Sequence, residues 1–337
     1  LSVLHGGLGK RYERSGLIKP MRKKFRAYSL NENDLNMLRW FGICLSSFLI
    51  ASCSGGGANV SVPETVSEVK SSSFVLPAFN AAFDVQLAEQ YTPQADIETL
   101  LLDRSFRPPE GRYSICYING FQTQPNESDI WRAKGKETDL HLILRDENGN
   151  EIFDPGYPDE FLLDISTEAK RTALAEVIRP WIAQCVADGF DAVDFDNLDT
   201  YNRPYIADRP NPLITENDAV AFVSILNVMV HSYGLAAAQK NAPDLASRKA
   251  ETGADFVIVE QCSEPDDPDA PEKSDNCRHY VDGFGDAVLM IEYDKDVFSN
   301  IACPKYGQKY SIILRDADFP QPASDATDAR PDVYENC

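Results

Sequence analysis

The stretch GFDAVDFDNLDTY, from Gly189 to Tyr201, decides how the rest of the chain is read. Ala192 to Asp196 is a short apolar run interrupted by acids, which reads as a strand. Alternate side chains of a strand share a face, so Asp194 and Asp196 point one way and Val193 and Phe195 the other. Two aspartates on the inner face of a buried strand are costly unless they are paired or used. Immediately upstream, Thr167–Asp188 reads as a helix, with Ser166 or Thr167 as cap and Gly189 as its stop. Pro180 lies inside it and is expected to kink or split it.

The same helix-then-strand unit recurs outward in both directions. Strands are expected near Phe83–Leu87, Thr99–Asp103, Tyr113–Ile118, Ala192–Asp196, Leu235–Gln239, Phe256–Glu260, Ala287–Glu292 and Tyr310–Arg315. Most are short and rich in Val, Ile, Leu or aromatics, as strands buried on both faces are. Thr215–Tyr233 reads as a second clear helix, capped by Thr215, with Glu216 and Asp218 in its first turn and Gly234 after its end. Ala242–Thr252 and Phe298–Tyr306 are weaker helical stretches. Eight strands alternating with helices over about 260 residues have the size of a (β/α)₈ TIM-like barrel. A doubly wound open sheet is the alternative, but nothing would require it to show eight strands. The polar stretch near 122–164 is expected to be a long βα insertion over the active face. Within it, Leu140–Leu144 and Glu151–Phe153 flank Asn148-Gly149 as a small hairpin.

Almost every expected strand finishes in a polar or charged residue. Asp103 ends the second. Tyr117 and Asn119 end the third. Asp194 and Asp196 end the fourth, followed by Asn197 and Asp199. Gln239, Lys240 and Asn241 end the fifth, Glu260 and Gln261 the sixth, Glu292 and Tyr293 the seventh, and Arg315 and Asp316 the eighth. A strand reaching solvent explains any one of these. In a barrel, though, these ends converge on one mouth, where catalytic groups sit. Carboxylates gathered there raise one another's pKa, so one can hold a proton while another stays ionised. Glycoside hydrolysis needs such a pair. No serine elbow, phosphate loop or dinucleotide fingerprint competes.

The first 52 residues do not read as part of this fold. Phe41–Ser52 is apolar and uncharged, too short to span a bilayer as a helix but suited to a signal-peptide core. Arg39 precedes it. Met37 and Met21 are both candidate starts, so residues before Met21 read as upstream translation. Ile50-Ala51-Ser52-Cys53 resembles a bacterial lipobox, with Cys53 as the lipidated residue, and 53–73 reads as a lipidated flexible linker. The barrel domain is expected over 74–337, as an exported, membrane-anchored lipoprotein, periplasmic or at the cell surface, and a monomer.

The chain carries a net charge of −21, and the signal segment holds nine Lys/Arg against three Asp/Glu, so the remainder is more acidic still. Such a surface disfavours nucleic acid and favours cationic partners. Beyond Cys44 and Cys53 six cysteines remain, an even count that suggests disulfides in an exported chain. Roughly fifteen pairings are possible; Cys116–Cys185, Cys262–Cys277 and Cys303–Cys337 is the set favoured, the second stapling a loop and the third pinning the C-terminus. No cysteine or histidine spacing suggests a metal, and no cofactor is expected.

Asp191, Asp194 and Asp196 superficially resemble the family 18 chitinase signature, but Leu198 stands where its catalytic glutamate belongs. The chain is much more similar to glycoside hydrolase family 114, the endo-α-1,4-polygalactosaminidases, whose Gly-Phe-Asp-Gly-Val-Glu-x-Asp-Asn-x-Asp-Gly-Tyr matches GFDAVDFDNLDTY. Further anchors run in order: Ile115-Cys116-Tyr117-Ile118, Phe161–Ile165, Lys240-Asn241, Val259–Cys262 and Ile291–Tyr293. The resemblance implies a TIM-like barrel that cleaves α-1,4-linked galactosamine polymers. It places the catalytic pair on Asp196 and Glu260. Asp103, Tyr117, Asp194, Asn197, Asp199, Tyr201, Lys240, Asn241, Glu292 and Tyr293 are the candidate substrate-binding residues around them, with Trp131 as a further sugar-stacking aromatic. Asp194 replaces the usual Glu, and Phe195 the usual Pro. Partly deacetylated polygalactosamine is a polycation, which the acidity of the chain would attract. A non-catalytic, lipid-anchored polysaccharide-binding protein and a barrel glycosidase for another α-linked sugar are the rival readings.

Overall fold

The computed structural model describes residues 74–264, 276–317 and 333–337. The signal segment, the linker and Cys53 lie outside the described residues. Nine strands form one sheet: β1 (Phe83–Gln86), β2 (Thr99–Asp103), β3 (Tyr113–Asn119), β6 (Ala192–Asp196), β7 (Ala236–Lys240), β8 (Phe256–Glu260), β9 (Val288–Glu292), β10 (Ser311–Arg315) and β11 (Tyr334–Asn336), in that order. The first eight are parallel, and β11 pairs antiparallel with β10. Neighbours in space are therefore neighbours in sequence throughout. A doubly wound sheet would reverse direction at a switch point, so that alternative falls away.

The sheet curls until its ends meet. Ala81 donates its N–H to Ser311 Oγ at 2.9 Å, and Tyr334 donates its hydroxyl to Phe83 O at 3.0 Å. The buried Arg315 of β10 donates to Val85 O at 2.6 Å and pairs with Asp84 of β1. This seam is closed by side chains where the backbone ladder stops, and the result is a (β/α)₈ TIM-like barrel.

Helices cover the outside. α1 (Ser128–Thr138) was not expected; α2 (Glu168–Asp188), α3 (Pro204–Ala207) and α4 (Glu216–Ser232) follow, then α5 (Pro243–Ala246), α6 (Lys249–Thr252) and α7 (Cys277–Phe284). Thr167 caps α2 by accepting Lys170 N–H, and Thr215 and Asp218 form a reciprocal capping box on α4. α2 runs unbroken through Pro180, against expectation. Pro180 lies on the exposed face, while Ile178, Ile182 and Cys185 pack inward on both sides of it. The stretch expected as one helix over 242–252 is two short ones, and 298–306 opens with a π turn, Phe298–Ala302, before a final turn.

The insertion contains α1 and a two-stranded ribbon, β4 (Phe153–Asp154) with β5 (Tyr157–Phe161). Around Asn148-Gly149 the chain does turn back, with Arg145 bridged to Glu151, but the regular pairing lies further on than expected. Disulfides join Cys116 to Cys185, Cys262 to Cys277 and Cys303 to Cys337, the set favoured from the sequence and one suited to an oxidising compartment. Among the described residues no helix is long and apolar enough to cross a membrane.

Candidate active site

Strand register sorts the polar strand ends into layers inside the barrel. Tyr117, Asp194 and Ala238 stand level, and Asn119 is level with Asp196 above them. Asp196, Lys240 and Glu260 are the last residues of three adjacent strands. Each is followed by a residue in the left-handed region: Asn197 at φ 64°, Asn241 at φ 47° and Gln261 at φ 54°. Non-glycine residues tolerate that region at a cost of about 1–3 kcal/mol each, and such strain gathers at working sites. Here it turns the chain sharply off the barrel rim, so that Asn197 can donate its own N–H to Asp196 Oδ1 at 2.8 Å.

Lys240 is the centre of the arrangement. Its side chain is only 3% exposed, and its ammonium lies 2.8 Å from Glu260 Oε2 and 3.7 Å from Asp196 Oδ1. Burial alone would push the lysine pKa down; the facing carboxylates, Asp196 and Glu260 foremost, overcome this and hold it above the ordinary value. Tyr117 donates to Asp196 Oδ2 at 2.7 Å, and Tyr293 donates to Glu260 Oε1 at 2.5 Å. Burial first, then the neighbouring carboxylates, raise both phenols well above their usual range, so each stays a donor. Asn241 donates to Glu260 Oε2 at 2.9 Å and accepts the Glu260 N–H at 2.8 Å. Both carboxylates remain partly open to solvent, 20% for Asp196 and 22% for Glu260, which lets a substrate reach them.

The insertion contributes a further wall. Glu160 of β5 is buried and accepts from Asn119 Nδ2 at 3.2 Å, while Asn119 Oδ1 accepts from Asn197 Nδ2 at 3.1 Å. Burial, aided by Glu160, Glu260 and Asp196, pushes the Tyr157 phenol up to about 12. Neither Glu160 nor Tyr157 was a candidate; the Tyr-Pro-Asp-Glu-Phe run has no clean strand pattern and reads as polar loop.

Other candidates take different places. Asp103 accepts from Ser105 N and Oγ at 2.9 and 2.6 Å within its own turn. Asp199 pairs with Arg203 at 3.4 Å, and the buried Tyr201 donates to Asp244 Oδ2 at 3.4 Å. Trp131 is fully buried, edge-on to Trp181 at 5.5 Å, and presents no face to a sugar. Glu292 does not reach the mouth. It alternates with Ile291 and Tyr293 and points out of the barrel into the cluster of Met290, Cys262 and Cys277, where it accepts Ser263 N–H at 3.1 Å. Cys262, Cys277 and Glu292 offer ligand atoms within 4.8 Å of one another, but the two sulfurs are bonded together and leave no thiolate for a metal.

The profile of glycoside-hydrolase family GH114 matches residues 63–332, most of the chain. The chain belongs to glycoside hydrolase family GH114. It is therefore a glycosidase. No curated protein matches the chain. Among solved structures, Aspergillus fumigatus Ega3 in complex with galactosamine is 20% identical with a TM-score of 0.55, over 78% of this chain and 97% of that one. The glycoside hydrolase domain of PelA from Pseudomonas aeruginosa is 14% identical with a TM-score of 0.46, over 71% of this chain and 95% of that one. The first of these supports the barrel fold of this GH114 chain.

Proposed function

We propose that the protein is an endo-acting hydrolase of α-1,4-linked galactosamine-containing polysaccharide, with Asp196 and Glu260 as its catalytic pair. One observation carries the assignment: two carboxylates, each about one-fifth open, at the ends of β6 and β8 on either side of β7 share a single sealed ammonium, each also held by a tyrosine hydroxyl. One of the pair protonates the glycosidic oxygen as it leaves; the other attacks the anomeric carbon or activates water. The two spans from Lys240, 3.7 and 2.8 Å, cap the distance between the facing oxygens at about 6.5 Å. Retention calls for carboxyl groups about 5 Å apart and inversion for roughly 6.5–9.5 Å, so the anomer first released distinguishes the two.

The substrate class rests on family membership and on charge. Galactosamine is the ligand carried by the Ega3 structure, and a chain of net charge −21 draws in a polymer with free ammonium groups. Anchoring through Cys53 would keep the enzyme at the membrane surface. The test is release of new reducing ends from a partly deacetylated α-1,4-galactosamine polymer, compared with the fully acetylated form. Wild-type enzyme is expected to cleave the former, and Asp196→Asn and Glu260→Gln to fail. Cleavage of neither polymer by the wild type would overturn the substrate, and full activity in either variant would overturn the pair.

A further inference from the structure

Asp194 is a buried acid that the reaction above does not use. It is fully enclosed, and neither carboxylate oxygen has a hydrogen-bond partner. It stands one layer beneath Asp196 on the same strand, level with Tyr117 on β3 and Ala238 on β7. The ionisable groups facing it are Lys240 on β7, Asp196 on its own strand, Glu260 on β8 and the Tyr117 phenol on β3. Three carboxyl groups thus surround one ammonium, and the two above already contact it. A third negative charge with no donor would stand uncompensated in the barrel interior, where an unpaired ion is far more costly than a neutral acid.

Resting on the assignment of Asp196 and Glu260 as the pair, we propose that Asp194 is a positioning residue that serves uncharged, as a buried carboxylic acid that leaves the whole Lys240 charge to the two groups above it. The consequence is a matter of charge balance. When one of the pair holds the proton it will donate and the other is ionised, Lys240 makes the cluster electroneutral only if Asp194 is neutral. An ionised Asp194 would draw the ammonium inward and compete with the pair for it. Burial supports the neutral form by pushing this carboxyl well above the usual range; Lys240 pulls it back, and Asp196 and Glu260 push it further.

Infrared difference spectroscopy of the full chain, wild type minus Asp194→Asn, tests this. At neutral pH the wild type is expected to show the carbonyl stretch of a protonated carboxylic acid, and the variant to lack it. Both limbs of the kcat/KM pH profile are expected to stay within a few tenths of a pH unit, with kcat lowered less than tenfold. A carboxylate band in place of the acid band overturns the proposal. So does a shift of both limbs to lower pH by half a unit or more, since that reports the loss of a negative charge. Should Asp194→Asn not fold, Asp194→Ser carries the same spectral comparison. The spectrum is independent of turnover: inactive wild-type enzyme would fail the proposed function while leaving the protonation of Asp194 measurable.

Discussion

The barrel holds two buried cation–carboxylate clusters, one at the seam and one at the mouth, and they are built for opposite ends. At the seam, Arg315 is fully enclosed. Its partner Asp84 also accepts the Val85 N–H at 2.7 Å and the Tyr91 hydroxyl at 2.5 Å. Both Asp84 oxygens are therefore met by groups the fold itself supplies. At the mouth, Lys240 is sealed to nearly the same degree, yet the carboxylates it holds are about one-fifth open, and the backbone after each of the three strands is in the left-handed region. The first cluster joins β1 to β10. The second holds two anions in reach of solvent, at the expense of local strain. A buried ion pair is thus no single kind of feature; what distinguishes the two is whether any acceptor remains for a substrate.

The contrast breaks most sharply through paired substitutions. Asp196→Asn or Glu260→Gln is expected to lower turnover by about 10³-fold or more, the scale of losing a general acid, base or nucleophile. Their unfolding free energy is expected to hold or rise, because strained functional groups trade stability for activity. Asp84→Asn is expected to do the reverse. It leaves Arg315 uncompensated in the seam and should cost about 3–5 kcal/mol in denaturant unfolding, with turnover per folded molecule maintained. A seam variant that loses turnover while folded, or a mouth variant that unfolds readily, would erase the distinction between the clusters.

A smaller effect is expected from the disulfide behind the mouth. Cys116 and Tyr117 are consecutive on β3, so they face opposite ways: the tyrosine toward Asp196, the cysteine outward to Cys185 on α2. Replacing both cysteines by alanine removes a link spanning 69 residues and should cost about 2–4 kcal/mol. If Tyr117 depends on this brace for its aim, kcat will fall as well. If only stability falls, the mouth is positioned by its own hydrogen bonds.

What could be read in advance follows from periodicity. The parallel strands are buried on both faces, so Phe256–Glu260 and Val288–Glu292 stand out as apolar runs, and Asp196 and Glu260 stand out where those runs stop. The same alternation already separates Glu292 from Tyr293: Leu289, Ile291 and Tyr293 share one face, so Glu292 belongs to the other. Glu292 closes the apolar run yet lies on the outer face, so its position at a strand end does not bring it to the mouth. Glu160 and Tyr157 were hidden for another reason. Their ribbon gains its shape from packing on the rim, through contacts such as Thr123 N–H to Phe161 O at 2.8 Å, and its local sequence favours no element. α1 opens without a side-chain cap and is polar over most of its length, while Trp131 anchors it by complete burial. Long-range packing, invisible to local pattern, decides such segments.

Glu292 gives the finest discrimination between interior acids. Burial raises its carboxyl from the ordinary range up to about 7, and the Ser263 hydrogen bonds counter this only in part. Its folded pKa therefore exceeds its unfolded one. The native state binds the extra proton between them, so this contribution to stability is complete below the unfolded value and is lost as pH rises through about 7. The loss is on the order of 3 kcal/mol, from about 1.4 kcal/mol per pKa unit. Glu292→Gln, neutral at every pH, should remove it: the drop in unfolding free energy between pH 5 and pH 8 should be smaller in the variant than in the wild type. Equal drops in the two proteins would mean that the space beneath the Cys262–Cys277 disulfide accepts the charge without penalty. Glu292 would then resemble the satisfied acid of the seam more than the buried acid beneath the mouth.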